Sequence, residues 1–170
     1  MWPSTLEISP LLPAHRGALG LHLLALSRDD RHARFGMTLC DEAVLRWVAR
    51  IAWSRQRWWG AWLQGDLGLL GALQLTPTRR AGAWELSLTV IEQLRSRGLG
   101  TALLASAMGQ MPDVSCLVCQ HGHAAMPAMA RRLGYSVRMR GQQPGLELRP
   151  TLTSGPATSP GFSRRPVTPA

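Results

Sequence analysis

The sequence predicts a mixed α/β domain of the α+β kind, with about seven strands and about four helices, and three observations carry that prediction. Apolar residues switch between period 2 and period 3.6 along the chain. Three strand-like segments follow one another through short turns, as antiparallel strands do. A fourth stretch, AWELSLTVIEQLRSRGLGTALLASAM from Ala83 to Met108, runs from a strand through a glycine-lined loop straight into a helix. Such a junction gathers unpaired backbone N–H groups at the positive end of a helix dipole, the local physics of a phosphate or pyrophosphate cradle.

Taken in order, Thr5 to Leu12 reads as the first strand, and Pro13 suits the first turn of the helix that follows, Ala14 to Ser27. SRDDRHARFGM reads as a polar loop closing on Arg34-Phe35-Gly36. Thr38 and Asp41 form a T-x-x-D cap before a second helix that places Val44, Leu45, Val48 and Ile51 on one face. RWWGAWLQ, the Gly65-Asp66 turn and LGLLGALQL read as a hairpin, and TPTRRAG returns the chain into the strand Ala83 to Val90. Trp53, Trp58, Trp59 and Trp62 are read as core and sheet packing, against the alternative of a stacking surface for bases or sugars. After the glycine loop and its helix, Val114 to Cys119 is short and apolar, as a central parallel partner of the Glu85 strand should be. A helix from about Ala124 to Leu133 stops at Gly134, with Pro127 near its start and His123 near its N-cap. Tyr135 to Met139 and Leu146 to Leu148 are the last strands. Residues 1–150 are expected to form one domain, and 151–170, rich in Thr, Ser, Pro and Gly, a disordered tail.

Composition narrows the function classes. The chain has 170 residues, 45% hydrophobic and 17% charged, enough for one good core. Its net charge is +9, yet all nineteen basic residues are arginine, and lysine and asparagine are both absent. A GC-rich coding bias explains that pattern; a basic surface that attracts an anionic ligand is the alternative. No arginine run is interleaved with aromatics, so nucleic-acid binding stays a minor reading. Three cysteines, an odd number, fit a reducing compartment. The start MWPSTLEISP lacks a basic segment before an apolar one, and no apolar run approaches the roughly eighteen residues of a membrane span. A soluble cytoplasmic protein is expected.

The glycine loop is neither of two familiar types. A P-loop needs a lysine that this chain does not contain, and a dinucleotide fingerprint needs a third glycine where Leu103 stands. What remains is Arg-x-x-Gly-x-Gly, with Arg95, Gly98 and Gly100. With the strand before it and the helix after it, this resembles the acyl-CoA pyrophosphate loop of GNAT-type N-acetyltransferases. HAAMPAMARRLGY adds a second likeness, to that family's segment after the fifth strand, with Met126, Met129, Ala130, Leu133, Gly134 and Tyr135 in register. RHARFG is more loosely similar to a bacterial branch that includes the acetyltransferase domains of protein-lysine acetyltransferases.

The resemblance implies a mostly antiparallel sheet splayed between the fourth and fifth strands, and acetyl-CoA as co-substrate, with no metal. Leu88, Thr89 and Val90 would pair with the pantetheine arm, and the N–H groups of Arg95, Ser96, Arg97, Gly98, Leu99, Gly100 and Thr101 would receive the pyrophosphate. Arg95 and Arg97 would add charge, unless either is simply an exposed arginine. Glu85, the only acid in its strand, is the candidate base for a primary amine acceptor; the alternative is a glutamate paired to a core-facing arginine. Ser87 and Thr89 share its face if the strand is regular.

Two positions depart from the family pattern. His123 stands where an asparagine commonly contacts the pantetheine arm, and Ala130 where a tyrosine commonly serves as general acid. Tyr135 matches the family's structural aromatic instead. The acid is therefore open among Cys119, His121, His123 and unaided departure of the thiolate. Cys119, His121 and His123 also form a C-x-H-x-H cluster, a minor zinc-site reading because no further spaced ligand accompanies it. Cys116 and Cys119, three apart on a strand, should point to opposite faces. The acceptor is not legible, whether protein lysine, N-terminal amine, aminoglycoside-like drug, polyamine or metabolite, and homodimerisation is left open. A non-catalytic acyl-CoA-binding module on the same fold is the rival reading.

Overall fold

The computed structural model describes residues 6–63, 68–120, 124–141 and 145–151. Seven strands form one sheet: β1 (Leu6–Pro10), β2 (Arg57–Leu63), β3 (Gly71–Pro77), β4 (Ala83–Val90), β5 (Cys116–Cys119), β6 (Tyr135–Met139) and β7 (Leu146–Pro150). Their spatial order is β1-β2-β3-β4-β5-β7-β6. Each neighbouring pair is antiparallel except β4 and β5, which run parallel. The described helices are α1 (Arg16–Leu24), led in by a 3-10 turn at Pro13–His15, then α2 (Arg28–Phe35), α3 (Asp41–Ala49), α4 (Leu99–Gly109) and α5 (Met126–Arg132).

The sheet is the middle layer between two cores. Leu19, Leu23, Val44 and Val48 from α1 and α3 pack with Trp58 and Ala72 on one face. Leu99, Leu103, Leu104 and Ala107 from α4, with Ala130 from α5, pack with Trp59, Leu73, Leu75 and Leu86 on the other. Consecutive tryptophans therefore enter opposite cores, because side chains alternate along a strand. Trp58 and Trp59 are each 3% exposed, which leaves neither free as a stacking surface. The Trp62 indole donates to Ser9 Oγ at 3.1 Å, and Trp53 sits 6.1 Å from the Trp58 ring.

The structure corrects three expectations near the N-terminus. SRDDRHARFGM is not a loop: Arg28 to Phe35 form α2. Ser27 caps it by accepting from the Asp30 N–H at 3.1 Å, and Gly36 ends it in the left-handed conformation. Thr38 does not cap α3. Cys40 is the N-cap, without a side-chain bond, and Asp41 already lies inside the helix. Arg31 performs the tethering instead, donating to the carbonyls of Leu24, Leu26 and Leu39 and pairing with Asp41 at 2.7 Å. Leu45 is 49% exposed, while Val44, Val48 and Ile51 are buried; at 3.6 residues per turn Leu45 stands about 100° round from Val44. The Gly65-Asp66 turn, His121, His123 and the 152–170 tail lie outside the described residues.

The cap of α2 is open to a direct check. Ser27→Ala removes the bond to the Asp30 N–H and should lower stability by about 1 kcal/mol in urea unfolding. An unchanged midpoint and slope would show that the cap does not hold this helix.

Candidate active site

Among the described residues, strands β4 and β5 pair over three positions only, Ala83 with Cys116, Trp84 with Leu117 and Glu85 with Val118. β5 ends at Cys119, whereas β4 continues through Val90 against an unbroken β3 ladder from Trp84 to Val90. The sheet thus opens after Glu85 while β4 remains straight. With no bulge in that ladder, Leu86, Leu88 and Val90 face the α4 core, and Glu85, Ser87 and Thr89 face the side of α1 and α2.

At the far end of the opening, a 3-10 turn at Glu92–Leu94 leads into the glycine loop. Gly98, at φ +87°, is the N-cap of α4, and no side chain caps that helix. The Ala102 N–H makes a 3.0 Å bond to the Gly98 carbonyl, so the N–H groups of Leu99, Gly100 and Thr101 have no acceptor inside the helix. A Cβ at Gly98 would meet open space but require a left-handed backbone. Gly100 has a different reason: its Cβ would come within 3.1 Å of Leu88 Cδ2 and 3.3 Å of Met129 Sδ, so the glycine lets α4 lie close on β4. Ser96 also has positive φ, 59°, a strained conformation for a non-glycine residue.

Between α2, β4, this loop and α5 lies a cavity of about 410 Å³. Glu85, Leu88, Thr89, Val90, Arg95, Ser96, Gly98, Leu99, Gly100 and Thr101 all line it. Arg97 is exposed and does not. Leu99 turns its side chain into the core, at 1% exposure, and can offer the cavity only backbone. Arg95 is tied down on both sides, donating to the Val90 carbonyl at 3.2 Å and pairing with Asp30 of α2 at 2.6 Å. Burial alone would raise the Asp30 carboxyl, but the hydrogen bonds from Arg95 and Ser27 outweigh it and hold that group below the usual carboxylate range.

At the other end, Glu85 Oε2 accepts from Gln120 Nε2 at 2.9 Å. Among the described residues no arginine lies within ion-pairing distance of Glu85. Arg34 is nonetheless near enough for the charge of Glu85 to act on it; burial, the larger influence, pulls its guanidinium down to about 10. It remains a cation at neutral pH. Cys119 lines the same cavity, its thiol pushed up to about 12 by burial first and by the charge of Glu85 second. That makes it a weaker acid than an ordinary thiol near 8.5, and so a poor proton donor to a departing thiolate. Tyr135 is not among the residues that line the cavity, and Ala130 is fully buried in α5. Cys116 and Cys119 enter different cores, on opposite faces of β5.

Four residues of this region escaped sequence reading: His22, Arg34, Gln74 and Gln120. Their partners are distant in sequence, as in the 2.8 Å contact between His22 Nε2 and Thr89 Oγ1 across 67 residues. Only α2, which carries Arg34, had a local signal, the S-x-x-D capping pattern at Ser27 and Asp30.

His22 links α1 to the cavity wall. Its Nδ1 lies 3.1 Å from the Leu69 carbonyl, which can only accept, so Nδ1 carries the proton and Nε2 accepts from the Thr89 hydroxyl. Burial holds the ring's pKa below the ordinary 6.5, with the Arg34 charge acting in the same direction. The unfolded chain therefore takes up a proton before the folded one does. Stability from this site is complete above about pH 6.5 and is lost as the pH falls through the folded value. Urea unfolding between pH 7.5 and pH 5 should show that decline, and His22→Gln should flatten it. An equal slope in both proteins would exclude His22 as its source.

The chain matches the model of the acetyltransferase (GNAT) family over residues 23–135. Solved structures agree in fold. The GNAT domain of S. lividans PAT superposes with a TM-score of 0.64 at 15% identity, over 84% of this chain and 88% of that one. An acetyltransferase from Thermus thermophilus gives 0.63 at 23% identity, over 85% and 95%. A phosphinothricin acetyltransferase from Sinorhizobium meliloti, solved in complex with AcCoA, gives 0.60 at 17% identity, over 95% and 96%. No curated protein matches in sequence. With the family model covering most of the chain and the sheet opening where this fold opens, the chain belongs to the GNAT acetyltransferase family.

Proposed function

We propose that this protein transfers an acetyl group from acetyl-CoA directly to a primary amine, within one domain spanning residues 1–150. The observation that carries the reading is the pairing of opposite ends in one cavity. Unpaired N–H groups of a helix start lie at one end and the carboxylate of Glu85 at the other. Glu85 and Val90 are five residues apart on β4, about 16 Å of strand. An extended acyl-pantetheine arm laid along Leu88, Thr89 and Val90 would complete the edge that β5 leaves unpaired. Its pyrophosphate would meet Ser96, Gly98 and the N–H groups of Leu99, Gly100 and Thr101, beside Arg95, whose charge Asp30 partly offsets, and with the exposed Arg97 free to reach the phosphates from outside the cavity.

The chemistry then needs a neutral amine, a stabilised oxyanion and a thiolate that leaves. Glu85 takes the amine proton through water. The amine nitrogen bonds to the thioester carbonyl carbon, the carbon–sulfur bond breaks and the sulfur leaves as thiolate, and the second proton lost from nitrogen as the amide forms passes to that thiolate, giving CoA as the thiol. Holding both reactants in one cleft makes a covalent enzyme intermediate unnecessary. A cytoplasmic location, in keeping with free thiols at Cys40, Cys116 and Cys119, belongs to the same proposal.

A non-catalytic acyl-CoA-binding module is favoured by two observations, the buried Ala130 in the tyrosine position and the poor acidity of Cys119. Glu85→Gln separates the readings when free CoA release is followed across a panel of amines. Transfer should fall by about 10²- to 10⁴-fold while acetyl-CoA affinity is retained. Unchanged transfer removes Glu85 from the mechanism. Tight acetyl-CoA binding with no release of CoA to any amine establishes the binding module.

A further inference from the structure

Helix α2 presents two charged side chains to the cavity one turn apart, and among the described residues only Asp30 has a partner within ion-pairing distance. Asp30 neutralises Arg95 at the glycine-loop end. Arg34 lies toward Glu85, where its Nη2 donates to Gln74 Oε1, and Gln74 stands opposite Ser87 in the sheet. The amide is fixed in turn: Gln74 Nε2 donates to Gln56 Oε1 at 2.8 Å and to Thr76 Oγ1 at 3.2 Å, and the Trp58 indole donates to the same Gln56 oxygen. The guanidinium is also packed against three rings, 5.1 Å from the centre of Phe35, 5.0 Å from Trp47 and 5.9 Å from Trp58. This is an arginine oriented by a part-buried network, lining a cavity, with no carboxylate within ion-pairing distance among the described residues.

A partly buried cation held in this way is stabilised when an anion completes it. The phosphates of acetyl-CoA cannot be that anion if they sit at the glycine loop, about 16 Å along β4 from Glu85. Glu85 acts on Arg34 only from beyond ion-pairing distance, so an anion carried by the acceptor is the one that can meet the guanidinium directly. A guanidinium fork fits a carboxylate with two parallel hydrogen bonds. Its charge also opposes a second cation beside it, which disfavours polyamines, whereas a carboxylate on the acceptor offsets that repulsion and leaves the amine beside Glu85.

We propose that Arg34 is a specificity residue which binds the carboxylate of a small acceptor carrying both an amine and an acid group, an amino acid-like molecule. The proposal rests on the acyl-transfer reading above.

The test compares matched pairs of acceptors, β-alanine with propylamine, 4-aminobutyrate with butylamine and 6-aminohexanoate with hexylamine, by kcat/KM for CoA release. At least one amino acid should be preferred over its alkylamine by about 10- to 100-fold, the scale of a charge-assisted hydrogen bond. Arg34→Gln should reduce that ratio to within about 3-fold of unity while acetyl-CoA affinity is kept; should it fail to fold, Arg34→Lys, which keeps the charge and loses the fork, should reduce the ratio by a smaller factor. Equal use of both members of every pair, or a preference that the variants retain in full, overturns the subsite and leaves acyl transfer standing. If no amine releases CoA, acyl transfer fails, and calorimetric titration of the N-acetyl amino acids with CoA present decides the subsite separately. Binding that Arg34→Gln weakens supports it, and no binding overturns it.

Discussion

A strand in the middle of a sheet has hydrogen-bonding groups along both edges, and leaving one edge unpaired inside a protein is costly unless water or a ligand replaces the partner. Among the described residues β4 meets that condition from Leu86 onward. Its β3 edge is fully paired to Val90, while its β5 edge is paired only to Glu85. The ladder to β3 keeps β4 regular, so the opening is a fixed feature of the scaffold. It also decides which side chains meet across the cavity: Glu85, Ser87 and Thr89 turn toward α1 and α2, and Leu88 and Val90 form the floor against α4.

The electrostatics of the cleft follow from where the few acids stand. A chain with net charge +9 places Asp30 and Glu85 at opposite ends of one cavity, the first in contact with an arginine and the second only within range of the charge of Arg34. Asp30 makes a direct ion pair that fixes Arg95 beside the helix start. Among the described residues Glu85 makes no such pair, and it is held by the neutral amide of Gln120, which keeps a carboxylate oxygen in place without cancelling its charge. The aromatic packing around Arg34 explains how this fold can carry a partly buried cation there: the rings and the Gln74 carbonyl supply some of the stabilisation that water would.

How much of this could be read in the sequence depended on whether a residue's role is local. Gly98 and Gly100 announced a strand-loop-helix junction because two glycines two apart before an apolar helix are a local pattern, although the structure gives them separate tasks. Trp58 and Trp59 were legible as packing because a tryptophan cluster around strands is more often core than a stacking surface, though not which core each would enter. Helix α2 was not, because its inward side faces a cavity and carries Asp30, Ala33 and Arg34, so it lacks the apolar stripe by which helices are recognised. Its only sign was the cap at Ser27. Gln120 and His22 were beyond reach, since nothing near either one in sequence points to Glu85 or Thr89.

The central claim is that the unpaired edge of β4 and the start of α4 together hold acetyl-CoA, and amide chemical shifts measure this residue by residue. Titration of the nitrogen-15-labelled protein with acetyl-CoA should shift the amides of Leu88, Thr89, Gly98, Leu99, Gly100 and Thr101 together. Acetyl-pantetheine, which lacks the pyrophosphate, should shift the β4 amides while leaving those of the glycine loop in place. Shifts confined to other parts of the surface, or loop amides that respond equally to both ligands, would contradict the account.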